Sequence, residues 1–172
     1  MNDTTKTLIR CALFLALTAV GAWVRIPLLT IPFTMQTLFV LLAGLLLGKT
    51  YAPLTMLCYL ALGLFGLPIF SQGGGVGYLL SPTFGYLIGF VAAGWVTGKL
   101  AKGGYLKAAF AGLFVIYLFG TLYYYLLLTC YLNQTVALKG LLISCVFVTL
   151  PMDCLLTVLA ASLGKRLKKV LR

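Results

Sequence analysis

The 172-residue chain is 62% hydrophobic and 9% charged, with 13 lysines and arginines against two acids and no histidine. That balance excludes an ordinary soluble domain. Five cysteines without a Cys-x-x-Cys pair leave no usual zinc ligand set, so neither a metal nor another cofactor is expected. The formal charge of +11 does not point to nucleic acid, because the basic residues sit at the ends of apolar runs and do not interleave with aromatics on a polar face.

In chain order, the apolar run over residues 8–24 flows into a proline-bearing loop and not into a cleavage site, so it reads as a retained first span. Spans are predicted near residues 8–25, 34–48, 51–67, 82–99, 106–131 and 150–167, separated by Pro, Gly or basic breaks. The apolar stretch 136–149 is short and leads to Pro151, which predicts a partial or re-entrant helix before the last span. The predicted fold is therefore all-α: one domain over residues 1–172, an integral membrane bundle of six transmembrane helices. Eleven of the 13 basic residues fall at the two termini, at Lys49 and at 99–107, leaving Arg25 and Lys139 for the other side. The positive-inside rule then places both termini in the cytoplasm of a cell-membrane protein. The closing run "GKRLKKVLR" reads as a solvated helix end against anionic headgroups of membrane lipid.

That topology puts three irregular segments on the outer side, and non-helical backbone at membrane depth is tolerated where it lines a cavity. In the first, Pro27 and Pro32 bracket a loop before Thr34 and Gln36. Thr34 is either a helix cap or a site residue, and Gln36, an amide in apolar surroundings, is the stronger site candidate. The second holds Gln72 and the glycines Gly73, Gly74, Gly75 and Gly77, whose backbone can approach a solute closely. Tyr78, Ser81, Thr83 and Tyr86 follow it, the mixture of apolar wall and few placed polar groups that a small amphipathic molecule needs. The third ends on "LPMDCLL", where Asp153 is the one acid outside the tails. An ionisable group inside a membrane is a functional candidate by default, although an acid in a first helical turn also meets the positive end of the helix dipole.

Two further patterns bear on partners. "GLLLGKT" at 44–50 has three residues between its glycines, one short of a phosphate-binding loop, and lies in an apolar helix, so the chain holds no means of energising transport by itself. Small residues four apart let helices approach closely: Ala12 and Ala16 in the first span, Gly85 with Gly89 and Gly94 with Gly98 in the fourth.

Together, "IPFTMQTLFVLLAGLLLG" (31–48), "GLPIFSQGGGVGYLLSPTFGYLIGF" (66–90) and "LPMDCLL" (150–156) resemble in order and spacing the signature segments of the BioY family, biotin-specific S components of energy-coupling factor (ECF) transporters. The resemblance covers most of the chain and is weakest over residues 100–135. It implies a six-helix membrane protein that captures biotin on the outer side, while a transmembrane coupling subunit and two ATPase subunits drive release inward. It maps the family's ureido-contacting acid onto Asp153, its polar residue before the glycines onto Gln72, and a tyrosine onto Tyr86. It also implies that "ALFLA", with Ala12 and Ala16, faces the coupling subunit. Gln36, Thr34, Gly74, Gly75 and Ser81 complete the expected substrate site, and Arg25 is the candidate for the ligand's carboxylate. One departure stands out: the family commonly has a lysine three residues after the aspartate, and this chain has Leu156. A solitary biotin carrier without an ATPase module is the alternative reading. A membrane enzyme would need a second titratable or metal-binding group beside Asp153, and the sequence offers none.

Overall fold

A computed structural model describes residues 2–27, 31–132 and 138–170, apart from the side chains of Leu138, Lys139, Ser144 and Val170. The Lys139 side chain and parts of the first and third expected outer segments thus lie outside what is described. Helix α1 (Asp3–Trp23) ends in a minimal antiparallel pair, β1 (Arg25–Ile26) with β2 (Phe33–Thr34), in the register Arg25 to Thr34 and Ile26 to Phe33. This clip returns the chain to the bundle, where α2 (Gln36–Leu64) begins.

α2 holds the predicted second and third spans, and Gly48 divides it, with φ 78° and ψ −176°, a left-handed conformation suited to glycine. A continuous helix would set Gln36 and Tyr59 about 35 Å apart. The Gln36 amide instead donates to the Tyr59 hydroxyl at 2.8 Å, so the arms 36–47 and 49–64 fold back beside each other. The second glycine of "GLLLGKT" is therefore the point of reversal, not part of a phosphate cradle.

From α2 the chain enters a long loop. Phe70 and Gly73 bridge across a tight turn, and the amide of Gly75 donates to the Gly63 carbonyl at 2.7 Å. The Phe70 ring fills the notch beside Gly63, where a Cβ would stand 2.1 Å from it. A 3-10 turn (Val76–Leu80) leads into α3 (Phe84–Leu100), and the turn Ala101–Gly103 leads into α4 (Tyr105–Leu126), which runs on as a π-turn over Leu127–Tyr131. α5 (Leu138–Leu142) passes through a second π-turn, Ile143–Phe147, to α6 (Leu150–Val170). Pro151 sits in the first turn of α6, where its missing N–H costs no helical bond.

Among the described residues, five helical stretches are long and apolar enough to cross a membrane: Asp3–Trp23, Gln36–Leu64, Phe84–Gly103, Tyr105–Tyr131 and Gly140–Lys169. α3 is the centre of the packing, because its small residues seat two neighbours. Gly85 and Gly89 lie against Tyr123, Phe119 and Ile116 of α4, and Gly94 and Gly98 lie against the second arm of α2 at Ala52 and against its turn at Gly48. α1 packs on α2 at the edge of the bundle and leaves Leu8, Ile9, Ala12, Leu13 and Ala16 exposed.

The reversal at Gly48 gives a direct test. A Cβ at position 98 would stand 2.4 Å from backbone atoms of Gly48 and Lys49, whereas at Gly103 it would meet nothing within 4 Å. Gly98→Ala is expected to destabilise the bundle by about 1–3 kcal/mol, seen as a lower unfolding temperature in detergent, while Gly103→Ala leaves it unchanged.

Candidate functional site

Two clips and a helix start meet at the loop end of the bundle and enclose a narrow cavity of about 40 Å³, smaller than a small-molecule site, so a ligand would have to part its walls to enter. Its apolar wall includes Phe33, Leu87, Phe90 and Ile116, and its polar groups come from every surrounding element: Thr34, Gln36, Thr37, Ser71, Tyr78, Thr83, Tyr86, Tyr117, Thr149 and Asp153. A larger hollow of about 520 Å³ between α4 and the α5–α6 segment, lined by Phe114, Leu118, Leu122 and Val146, is almost wholly apolar and lacks such convergence.

Asp153 stands in the first turn of α6 and is 8% exposed. The Tyr117 hydroxyl donates to its Oδ2 at 2.6 Å. Since a phenol has one proton, the Thr149 hydroxyl, 2.8 Å from the same oxygen, must donate to Tyr117. Thr149 lies one helical turn before Asp153, and its carbonyl accepts the Asp153 amide at 3.0 Å. A directed relay, Thr149 to Tyr117 to Asp153, therefore fixes one carboxylate oxygen. The other, Oδ1, is buried and makes no hydrogen bond of ordinary geometry among the described residues, although the Thr37 hydroxyl is close enough to act on the carboxylate as a donor. Among the described residues no cation pairs with this group: Leu156, one turn on, packs into the core, and the one salt bridge joins Lys6 to Asp3.

Three more hydrogen-bond sets shape the wall. Gln36, 3% exposed, donates to Tyr59, which passes its own proton to the Ile69 carbonyl at 2.6 Å, while Thr34 donates to the Gln36 side-chain oxygen at 3.3 Å. This set ties β2, both arms of α2 and the long loop together. Thr83 donates to Tyr78 at 2.9 Å and is backed by Ser81 at 2.8 Å, so Tyr78 is left to donate to Ser71 at 3.1 Å. Tyr86 donates to the Cys145 carbonyl at 2.9 Å, in the π-turn before α6, a geometry that frees backbone carbonyls from the regular ladder. Its ring meets Tyr117 edge to face at 6.1 Å.

Of the predicted site residues, Asp153, Gln36, Thr34 and Tyr86 line this one cavity, and Ser81 stands one hydrogen bond behind it. Gly74 and Gly75 anchor the long loop to α2 at Gly63: a Cβ on Gly74 would stand 3.0 Å from the Gly63 carbonyl oxygen, which accepts the Gly75 amide. The structure does not bring Gln72 to Asp153. The turn at Phe70–Gly73 sends the Phe70 ring inward and leaves Gln72 exposed at the tip, in a separate recess with Trp23 and Arg25. There the Arg25 guanidinium donates to the Ser71 carbonyl, and Ser71 lines both recess and cavity. Sequence reasoning missed Tyr117, Thr149, Thr37, Tyr59 and Ser71. Thr149, four residues before Asp153, and Thr37, beside Gln36, carried a positional signal; Tyr117 carried none, because α4 holds several tyrosines and contact with α6 alone distinguishes it.

A family model described as the BioY family matches residues 1–172. The chain is 41% identical to the probable biotin transporter BioY of Lysinibacillus sphaericus over 178 aligned residues, covering 99% of this chain and 91% of that protein. It is 44% identical to the biotin transporter BioY of Thermotoga maritima over 121 residues, covering 67% and 72%. The fold is similar, with a TM-score of 0.83 and 25% identity over 98% of this chain and 95% of the other, to a crystal structure of the S-component for biotin from an ECF-type ABC transporter. With its family match running from end to end and its fold shared, the chain belongs to the BioY family.

Proposed function

We propose that this protein captures biotin in the Asp153 cavity and serves biotin uptake as the substrate-specific subunit of an ECF transporter. The observation that carries the reading is the buried, unpartnered Oδ1 of Asp153, facing a cavity in a chain of the BioY family. A cyclic urea offers N–H donors, and one of them would complete that oxygen's hydrogen bonding while the relay from Thr149 and Tyr117 holds the other. Tyr86, Gln36, Thr34 and Ser81 supply or support the polar wall, and Gly74 and Gly75 hold the loop that borders it. The acyl tail would run past Ser71, so that its carboxylate meets Arg25 at the recess it shares with Gln72.

The two arms of α2 would serve as separate crossings, giving six. They are about 18 and 24 Å long by helical rise, short of a hydrocarbon core of about 30 Å, so the flanking segments would complete them. The basic tally supports cytoplasmic termini. The sequence offers no phosphate-binding loop, so a coupling subunit and two ATPase subunits would supply the energy, the former on the α1 face bearing Ala12 and Ala16, which the bundle leaves exposed. A solitary carrier is the second reading, favoured by nothing in the site itself.

Three outcomes test this. Asp153→Ala is expected to weaken biotin binding by roughly ten- to hundredfold, as for loss of a charge-assisted hydrogen bond; unchanged binding by titration of the purified protein would remove Asp153 from the site. Tyr117→Phe leaves Oδ2 without its donor and is expected to cost roughly five- to hundredfold in affinity, with the unfolding temperature reporting that the fold is kept. Labelled-biotin uptake is expected to need co-expressed coupling and ATPase subunits, and equal uptake without them would favour the solitary carrier.

A further inference from the structure

At the end of the bundle away from the cavity, five cations gather without an acid. Lys102, in the turn between α3 and α4, faces Lys165, Lys168 and Lys169 of α6 across a cleft floored by Ala101 and Tyr105. The Lys168 ammonium rides 5.6 Å above the Tyr105 ring. A second hollow, shared through Lys165 and Lys169, adds Ser162 and Arg166. The sequence has two side-chain acids: Asp3 is engaged with Lys6, and Asp153 stands about 18 Å along α6 from Lys165 by helical rise. The charge of this corner is therefore unanswered within the described chain.

The face of α6 that leads to these cations is apolar and exposed. Leu155, Val158 and Leu159 are 67%, 46% and 50% exposed, and with Ser162, Lys165, Arg166 and Lys169 they follow the three- and four-residue steps of one helical face. From Leu155 to Arg166 this face rises about 16 Å, close to half of a hydrocarbon core of about 30 Å. One leaflet's acyl chain has that reach, and a phosphate at its end would lie among the lysines. We propose that this corner binds one anionic phospholipid, with its phosphate held by Lys102, Lys165 and Lys169 and an acyl chain along Leu155, Val158 and Leu159. An acidic protein surface would satisfy the cations but would have no use for the apolar face beneath them.

The test is lipid retention by the full chain, released from bilayers of equal phosphatidylglycerol and phosphatidylcholine and weighed by native mass spectrometry. The wild type is expected to keep one phosphatidylglycerol in preference to phosphatidylcholine. Lys102→Gln, Lys165→Gln and Lys169→Gln together are expected to reduce that preference by about tenfold or more, whereas Lys6→Gln, Arg10→Gln and Lys49→Gln together, an equal loss of charge, leave it intact. Free glycerol phosphate is expected not to displace the lipid. Equal retention of the two lipids, equal loss in both triple variants, or displacement by free glycerol phosphate would overturn the site. So would a Lys102, Lys165 and Lys169 variant that keeps phosphatidylglycerol but loses biotin uptake in the presence of the coupling and ATPase subunits, since the corner would then serve a protein partner.

Discussion

A carboxyl group placed among membrane-spanning helices must find its hydrogen bonds inside the protein, because the hydrocarbon offers none. The loop end of this bundle is organised around that requirement. Asp153 receives Tyr117 from α4, which in turn receives Thr149 from the residue pair preceding α6, and Thr37 from α2 stands beside the carboxylate. Three separate elements thus converge on one side chain. Their positions set where the cavity can be, and the unpartnered Oδ1 sets what the cavity can do.

That convergence depends on the path of α2. Were the segment 36–64 a single rod, its beginning would be far from the loop that follows it, and no wall could form between them. The left-handed step at Gly48 folds the rod, and the Gln36–Tyr59–Ile69 hydrogen bonds lock its two ends together. α3 can then lie against the folded arms only because Gly94 and Gly98 present no side chain to Ala52 and to the turn itself. Close backbone approach substitutes here for the hydrophobic drive that membrane helices lack, and it carries Tyr86 and Thr83 to the cavity as a consequence of where α3 is seated.

Much of this was legible in residues and spacing. Asp153 was conspicuous because a charge in an apolar tract is costly, and Gln36 because an amide two residues into a helix needs a partner; both reasons are local. The glycine pairs of α3 announced close packing without naming their partners. Gln72 is placed less directly, because proximity in sequence to the glycine turn does not say which way the turn faces, and here the burial of Phe70 against Gly63 leaves Gln72 at the exposed tip. Tyr117 was invisible for a different reason. Its role rests on a contact across 36 residues, and α4 repeats tyrosine often enough that its own sequence does not single one out.

The replacement of a cation by Leu156 follows from the same economy. A lysine one turn beyond Asp153 would neutralise the carboxylate and bring its own donors, which would then have to be satisfied whenever the cavity is empty. Leucine packs into the core and asks for nothing, and the hydroxyl relay from Thr149 supplies one hydrogen bond from groups that are already paired. The second oxygen is left for a donor from outside. If biotin is held as proposed, such a site would draw its selectivity from the ligand's own N–H groups: a solute lacking a donor at that point would bury Oδ1 unsatisfied, at a cost of about 1–3 kcal/mol or more for a charged group. A solute presenting one replaces only what the protein omitted.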